Sequence, residues 1–301
     1  MRPGVGTLYR KTVIECVPNF SEGRDATVVR AIADAIAAVP GVLLLGSESD
    51  SDHNRSVMTF AGTPEAVVEG AVRGAGKAAE LIDLSRHQGV HPRVGAADVI
   101  PFVPLDGSTM DDAVAAAHCA GEEIWQCCGV PVYFYEHAAR SAGRRRLEKV
   151  RRREFDGAPP DIGTLAAHPT AGASVVGARG FLIAYNVLLA TSDAAVAQAI
   201  ARKIRASSGG FPHVKAMGIY LASRDRAQVS MNLTNFAETP LEGVYDAISK
   251  AARELGTEAL AGEIIGFIPR RAYQMAPEFF RRAENFEESR ILETRIAELL
   301  R

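Results

Sequence analysis

Hydrophobic and polar positions switch between strand and helix spacing along the chain, and the order of the resulting elements repeats. Between Val13 and Val103, short β-branched runs and amphipathic stretches predict the order β-α-β-β-α-β. The stretch from Phe181 to Ile268 predicts the same order a second time. Two split β-α-β units in tandem are typical of two ferredoxin-like subdomains. We therefore predict an α+β fold, with an α/β sandwich in each half.

Residues typical of helix N-termini locate the start of several helices. Thr63-Pro64 places a threonine cap and a proline at the start of a helix that runs to about Leu84. Ser192 is expected to cap a helix in the second half of the chain. Thr239-Pro240-Leu241-Glu242 predicts a capping box at the start of the helix that follows.

The two halves differ in their additional elements. A strand predicted over 228–236 in the second half has a hydrophobic residue at every other position, which indicates one buried face. In the first half, helices predicted over 109–128 and 137–153 flank a strand near 130–135. Residues 157–173 are rich in glycine and proline and are interpreted as a loop-rich bridge towards the second half.

Length and composition indicate two ordinary folded domains. The chain has 301 residues, of which 47% are hydrophobic and 23% charged. We expect a disordered extension over 1–12, an N-terminal subdomain over 13–178 and a C-terminal subdomain over 179–301. The net charge of -2 gives no reason to expect nucleic acid or a membrane surface as a partner. Residues 1–11 lack the apolar core of a signal peptide, so we expect a cytoplasmic protein.

Three polar, turn-rich segments of the first half lie next to its predicted strands and helix ends. They are 18–23, 48–55 and 86–98. Because sites usually lie where loops gather at one edge of a sheet, we expect these segments to meet there. The third segment contains His91 and Arg93 between glycine and proline residues that exclude a helix. An imidazole next to a fixed positive charge suits acid–base chemistry.

Structural roles for the same residues stay open at this point. The alternative for His91 is an exposed loop histidine, or one that caps a helix end. The alternative for Asn54 is a turn residue. For Arg55 and Arg93 the alternative is a surface ion pair with Asp98 or Asp52, which contributes little to stability.

Other motifs give no further site. The basic clusters 144–146 and 151–153 are interpreted as solvated helix faces. Neither a phosphate loop nor a nucleophile elbow is found in the sequence. Residues 50–54 begin like a calcium loop, but Arg55 occupies the position where that loop requires glycine. We therefore expect no metal.

Several segments resemble, in order along the chain, the signature segments of the glutamate formimidoyltransferase (formiminotransferase) family. They are Val17-Pro18-Asn19-Phe20-Ser21-Glu22-Gly23, Asn54-Arg55-Ser56-Val57, His91-Pro92-Arg93-Val94-Gly95-Ala96-Ala97-Asp98-Val99-Ile100-Pro101-Phe102, Gly177-Ala178-Arg179 and Ala227-Gln228-Val229-Ser230-Met231-Asn232-Leu233. The resemblance covers about 13–269, most of the chain. It implies two ferredoxin-like subdomains with folate bound between them, in a homodimer.

The resemblance also implies the reaction and its main residues. The family moves a formimino group from N-formimino-L-glutamate to N5 of tetrahydrofolate, in histidine degradation and without a metal. Its proton donor falls on His91. Its folate-binding segment falls on Gly163, Thr164, Leu165, Ala166, Ala167, His168, Pro169, Thr170, Ala171 and Gly172, which depart at most positions from the animal members of the family. Asn232, on the predicted strand of the second half, is expected to add to the folate site.

Substrate residues follow from the chemistry of glutamate. Arg55 and Arg93 are expected to bind its two carboxylates, because guanidinium binds carboxylate through two hydrogen bonds. Asp98 or Glu48 is expected to orient the imidazole or to bind the formimino nitrogen, with Asn54 in the same group. The chain stops at Arg301, so we expect the transferase alone, with a separate cyclodeaminase as a possible partner.

Other functions on the same fold stay open. N-formyl-glutamate as the donor fits the residues equally well, since N5 can attack either carbon. ATP-dependent cyclisation of 5-formyltetrahydrofolate needs a nucleotide site, for which no phosphate loop is found. A non-catalytic protein that binds or channels folate is the alternative of another class, and a purely structural protein leaves the three polar segments without a role.

Overall fold

The computed structural model describes residues 13–89, 93–105, 107–155 and 158–301, with only the backbone of 152–155. They divide into two compact units, one formed by 13–179 with 299–301 and the other by 180–298. Each unit combines one β-sheet with helices, which confirms the predicted α+β class. The predicted disordered extension over 1–12 lies outside the described residues.

The first unit alternates strands and helices in nearly the predicted order. Its strands are β1 (Ile14–Cys16), β2 (Asn19–Phe20), β3 (Leu43–Asp50), β4 (Arg55–Gly62), β5 (Ala97–Pro104), β6 (Val132–Glu136) and β7 (Ser174–Ala178). Its helices are α1 (Ala26–Ala37), α2 (Pro64–Leu81), α3 (Met110–Cys128) and α4 (Leu147–Phe155). The predicted cap at Thr63 is confirmed, because its side chain accepts a hydrogen bond from Ala66 N.

The sheet of the first unit joins an antiparallel part to a parallel part. Its order is β3-β4, then β1 and β2, then β5-β7-β6. Strands β1 and β2 both pair antiparallel with β4 on one side and β5 on the other. The pairs β5–β7 and β7–β6 are parallel. The parallel part therefore extends the sheet beyond β5, on the side away from β3.

The two faces of this sheet are covered differently. Helices α1, α2 and α3 pack on one face, against Phe20, Phe60, Phe102 and their neighbours. Helix α4 packs on the other face, where its Val150 belongs to a cluster with Val175 and Tyr135. Because successive residues of a strand point to opposite faces, α4 is the one helix of this unit, among the described residues, on the face that carries the site.

The first unit differs from the prediction at three places. Asn19–Phe20, in a segment predicted as a turn, forms the short strand β2. Strand β7 was not predicted, because Ser174–Ala178 is short and is buried on both faces, so it shows no alternation. The helix predicted over 137–153 begins only at Leu147. Turns and the 3-10 turn Ala142–Arg144 precede that helix.

The second unit has one antiparallel sheet. Its strands are β8 (Ile183–Leu189), β9 (Val214–Leu221), β10 (Arg226–Leu233) and β11 (Ala259–Ile265), in the order β11-β8-β10-β9. Its helices are α5 (Ala194–Ile204), α6 (Leu241–Glu254), α7 (Arg270–Met275), α8 (Pro277–Arg281) and α9 (Leu292–Leu299). Alternate residues of β10, namely Val229, Met231 and Leu233, are buried, which confirms the predicted one-sided strand.

The helix caps predicted for the second unit are wrong. Asp193, not Ser192, caps α5, because its carboxylate accepts a hydrogen bond from Ala195 N. The capping box predicted at the start of α6 does not form. The Thr239 hydroxyl instead donates to Asn235 O at 2.7 Å.

Of the helices in the described residues, none is long and apolar enough to cross a membrane.

Candidate active site

The three polar segments of the first unit come together at Asn54, as predicted. Its side-chain oxygen accepts a hydrogen bond from Gly23 N at 3.0 Å, and its side-chain nitrogen donates to Gln88 O at 2.9 Å. Asn54 is buried and has a φ of 48°, in the left-handed region that asparagine tolerates better than most residues. One side chain at the turn before β4 therefore joins all three segments.

Asp98 lies at the centre of this region because of a β-bulge. Asn19 pairs with Val99, but Phe20 pairs with Ala97, so Asp98 is the extra residue between the two pairs. A bulge changes the direction of a side chain relative to a regular strand, and bulges are frequent next to active sites. The Asp98 side chain is completely buried.

Two arginines share one oxygen of this buried carboxylate. Arg55 Nη1 donates to Asp98 Oδ2 at 3.0 Å, and Arg151 Nη2 donates to the same oxygen at 2.7 Å. The other oxygen, Oδ1, accepts a hydrogen bond from Val94 N at 2.7 Å. Charge-assisted hydrogen bonds of this kind are among the strongest in proteins, so Asp98 fixes the positions of both guanidinium groups.

Arg55 is held on its other side by Asn19. The Nε and Nη2 atoms of Arg55 donate to Asn19 Oδ1 at 2.9 Å and 2.6 Å. Burial lowers the pKa of Arg55 to about 10; the positive charges of Arg151 and Arg93 lower it too, while Asp98 opposes the shift. The site therefore favours binding of an additional negative charge near this guanidinium.

Arg93 is positioned by two histidines. Its Nη1 lies 2.8 Å from His87 Nε2, and its Nη2 donates to His53 O at 3.4 Å. Because an arginine can only donate, His87 Nε2 accepts this hydrogen bond and His87 is neutral. Burial lowers the pKa of Arg93, and the carboxylate of Asp98 opposes the shift.

The balance of charge in this group is positive. The charges of Arg93 and Arg151 both act on Arg55, and the Asp98 carboxylate attracts all three guanidinium groups. Planar guanidinium groups bind carboxylates and phosphates through paired hydrogen bonds. The arrangement can therefore bind an anionic small molecule.

Of two further predicted residues, His91 and Glu48, the structure describes only Glu48. His91, the predicted proton donor, lies outside the described residues. Glu48 lies on β3 opposite Val57 of β4, two pairs away from the pair of Asp50 with Arg55. Glu48 and Arg55 therefore share one face of the sheet.

The predicted folate segment lies beside the 93–98 stretch in the first unit. Its first part, 163–167, is exposed, and Leu165 has 67% of its surface accessible. Its second part is fixed, since Thr170 O accepts a hydrogen bond from Leu84 N at 2.8 Å and Ala171 O accepts one from Ala96 N at 2.9 Å. The segment therefore combines an exposed apolar residue with a rigid attachment.

Asn232, the other residue predicted for the folate site, is an exposed residue of β10 in the second unit.

Gly95 makes the close approach between these two segments possible. A Cβ atom at this position would collide with the carbonyl oxygen of Ala173. We expect Gly95→Ala to lower the free energy of unfolding by about 1–3 kcal/mol, the usual effect of overpacking. Gly180→Ala is the control, because no atom lies within 4 Å of a Cβ there. Urea unfolding followed by circular dichroism measures both, and equal stability of the two variants would contradict the expectation.

Two contributors to this cluster were missed in the sequence. The interpretation of Arg151 as part of a solvated helix face is wrong, because it reaches the buried Asp98. The sequence did indicate that Arg151 faces the protein, since it follows the hydrophobic Leu147 by four positions and therefore shares its helix face. Asn19 lies within a segment that resembles the family, but no spacing rule indicated its contact with Arg55.

Among the described residues, no group of three or more histidine, cysteine or acidic side chains is placed to hold a metal ion.

An α+β chain that gathers three guanidinium groups around one carboxylate has the construction of a protein that binds an anionic small molecule. Its sequence specifies the family. Residues 13–179 match the formiminotransferase domain, N-terminal subdomain, and residues 184–299 match the formiminotransferase domain. The chain belongs to the formiminotransferase family, as the resemblance predicted.

Two relatives that match along nearly their whole length carry the same name. Glutamate formimidoyltransferase of Thermoplasma acidophilum is 40% identical over 95% of this chain and 97% of its own length. The protein of that name from Streptococcus pyogenes serotype M1 is 39% identical over 91% of this chain and 95% of its own. Formimidoyltransferase-cyclodeaminase of Gallus gallus is 43% identical over 90% of this chain but only 53% of its own length, so the chain spans about half of that relative.

Proposed function

We propose that this protein is a glutamate formimidoyltransferase, which moves the formimino group of N-formimino-L-glutamate to N5 of tetrahydrofolate in histidine degradation. Relatives that match along nearly their whole length and carry this name support the reaction. The observation that carries the proposal is the excess of positive charge around Asp98, because the donor has two carboxylates. Tetrahydrofolate is the co-substrate.

The residues fit the steps of this transfer. N5 of tetrahydrofolate attacks the formimino carbon, the electron pair of the C=N bond moves to the formimino nitrogen, and that nitrogen takes up the proton lost from N5, which gives a tetrahedral intermediate. The bond from that carbon to the glutamate nitrogen then breaks, and the nitrogen takes a proton as it leaves, because an unprotonated amine is a poor leaving group. His91 is proposed as the donor of this proton, a role for which imidazole is suited near neutral pH.

The proposed substrate residues act together. Arg93 and Arg55 bind the carboxylates of the donor, and Asp98 holds Arg55 in place by the 3.0 Å hydrogen bond. Asn54 keeps the three segments in position through its hydrogen bonds to Gly23 and Gln88. Glu48, on the same sheet face as Arg55, is proposed to bind the formimino nitrogen.

Folate binding is proposed for the 163–172 segment of the first unit and for Asn232 of the second. The exposed Leu165 supports this, since the pterin and aminobenzoyl groups of folate need apolar contacts. We further propose that the units are tandem ferredoxin-like subdomains with a boundary near 179. In support, the antiparallel strand order β5-β1-β4-β3 of the first unit and the order β11-β8-β10-β9 of the second follow one pattern.

Release of glutamate tests the reaction. Purified protein is incubated with tetrahydrofolate and either N-formimino-L-glutamate or N-formyl-L-glutamate, and free glutamate is measured. Release from the formimino donor that depends on tetrahydrofolate is the expected result. Release from the formyl donor alone would replace the substrate, and folate binding without any release would indicate a binding protein.

The resemblance extends the proposal to a homodimer in the cytoplasm, with a separate cyclodeaminase that acts on the product. Light scattering on the purified protein measures the assembly, and twice the mass of the 301-residue chain is expected. A monomeric mass across the working concentration range would contradict the homodimer.

A further inference from the structure

Arg151 belongs to the cluster through a helix outside the segments that resemble the family. Helix α4 packs against the sheet through Leu147 and Val150, and Val150 is buried. The side chain of the next residue, Arg151, is 18% exposed and reaches the completely buried Asp98. The packing of α4 therefore places a guanidinium group on the face of the sheet that carries the site.

Arg55 and Arg151 differ in how much of their hydrogen-bonding capacity the protein uses. Arg55 donates from Nε and Nη2 to Asn19 and from Nη1 to Asp98. Among the described residues, Arg151 donates one hydrogen bond, from Nη2 to Asp98. Its Nε is buried and has no hydrogen-bond partner in the part of the chain that the structure describes. Arginine carries five N–H donors, so Arg151 keeps donors for a ligand.

The charges around Asp98 also indicate that Arg151 binds a ligand. A buried carboxylate paired with one arginine is neutral, and a second arginine on the same oxygen leaves the group with a positive charge. A positive charge that is largely removed from water is stabilised by a nearby anion, so the second arginine favours a negatively charged ligand. Arg93 and Arg55 are proposed to bind the two carboxylates of the donor, and Arg151 adds a third cation next to Arg55, because both donate to the same oxygen of Asp98.

We propose that Arg151 is a specificity-determining residue, which joins Arg55 in binding the second carboxylate of the donor and so selects a dicarboxylate over a monocarboxylate. This inference rests on the proposed function of the same site. It assigns part of the recognition of the second carboxylate to α4, a helix to which no role is otherwise assigned.

A comparison of two donors that differ in charge tests the inference. N-formimino-L-glutamate carries two carboxylates, and N-formimino-L-glutamine replaces the side-chain carboxylate by a neutral amide. In Arg151→Gln we expect kcat/KM for the glutamate donor to fall about 10- to 100-fold, mainly through KM, because one charge-assisted hydrogen bond is lost. The same variant is expected to use the glutamine donor about as well as the wild type. Arg151→Lys, which keeps the charge but not the planar group, is expected to lie between them.

The control is Lys149→Gln, which removes one positive charge from an exposed position of the same helix. It is expected to leave the preference between the two donors unchanged. An equal loss of kcat/KM for both donors in Arg151→Gln would overturn the proposal and leave Arg151 as a residue that only positions Asp98. A variant that unfolds at a lower temperature but keeps the donor preference would do the same.

A binding experiment separates this inference from the proposed reaction. N-acetyl-L-glutamate and N-acetyl-L-glutamine are unreactive analogues of the two donors, and calorimetry measures their affinities for the wild type and for Arg151→Gln. Selective loss of N-acetyl-L-glutamate binding supports the role of Arg151 even if the wild type turns over neither donor. Turnover of the formimino donor with no change in this selectivity overturns the inference and leaves the reaction in place.

Discussion

Replacing His91 by alanine is expected to lower kcat by about 10²- to 10⁴-fold, the usual contribution of a general acid. The reason lies in the leaving group, since the glutamate nitrogen departs as a neutral amine only when it receives a proton. Binding of tetrahydrofolate should be unchanged, because the proposed folate segment 163–172 is attached to the first unit by backbone hydrogen bonds of its own. Single-turnover kinetics and fluorescence titration with folate measure the two quantities separately.

The matched control for this variant is His137→Ala, which removes an exposed imidazole from the same unit. It should keep the wild-type rate. Turnover of His91→Ala close to that of the control would exclude His91 as the proton donor. A loss of folate binding together with turnover would instead assign His91 to the architecture of the site.

The order of elements could be predicted because hydrophobic periodicity records burial on one face. Strand β10 shows this most clearly, with Val229, Met231 and Leu233 buried and Asn232 exposed. Strand β7 could not be found in the same way, since all five of its residues are buried. Cap positions are decided by local competition for hydrogen bonds, as at Thr239, whose hydroxyl donates to Asn235 O instead of capping α6.

The meeting of the three polar segments could also be predicted, and Asp98 was one of two expected partners of Arg55, but the burial of this ion pair could not be predicted. Arg55 was expected as a carboxylate ligand or as a surface ion pair, and it lies beside the buried Asp98. The bulge that directs Asp98 towards Arg55 depends on the register between β2 and β5, which local sequence does not specify. Arg151 is 53 residues from Asp98 in the sequence, and such long-range contacts leave no local pattern.

Asp98→Asn is expected to lower the free energy of unfolding by about 3–5 kcal/mol, the effect of removing one partner of a buried ion pair. Asparagine keeps the shape of the side chain and an oxygen that can accept the hydrogen bond from Val94 N. It removes the negative charge that Arg55 and Arg151 share, so this carboxylate no longer offsets the repulsion between the two guanidinium groups. Denaturant unfolding measures the loss, with Asp111→Asn as the exposed control.

The origin of this loss is tested by removing one of the two cations as well. If uncompensated positive charge is the cause, Asp98→Asn should be less destabilising when Arg151 is already glutamine, because one guanidinium remains instead of two. Residues in direct contact show interaction energies of about 0.5–3 kcal/mol in such double-mutant cycles. Additive effects, or a loss in Asp98→Asn as small as in Asp111→Asn, would mean that Asp98 does not hold the arginine cluster together. A dicarboxylate ligand would then lose its structural explanation, since the positions of Arg55 and Arg151 depend on that carboxylate.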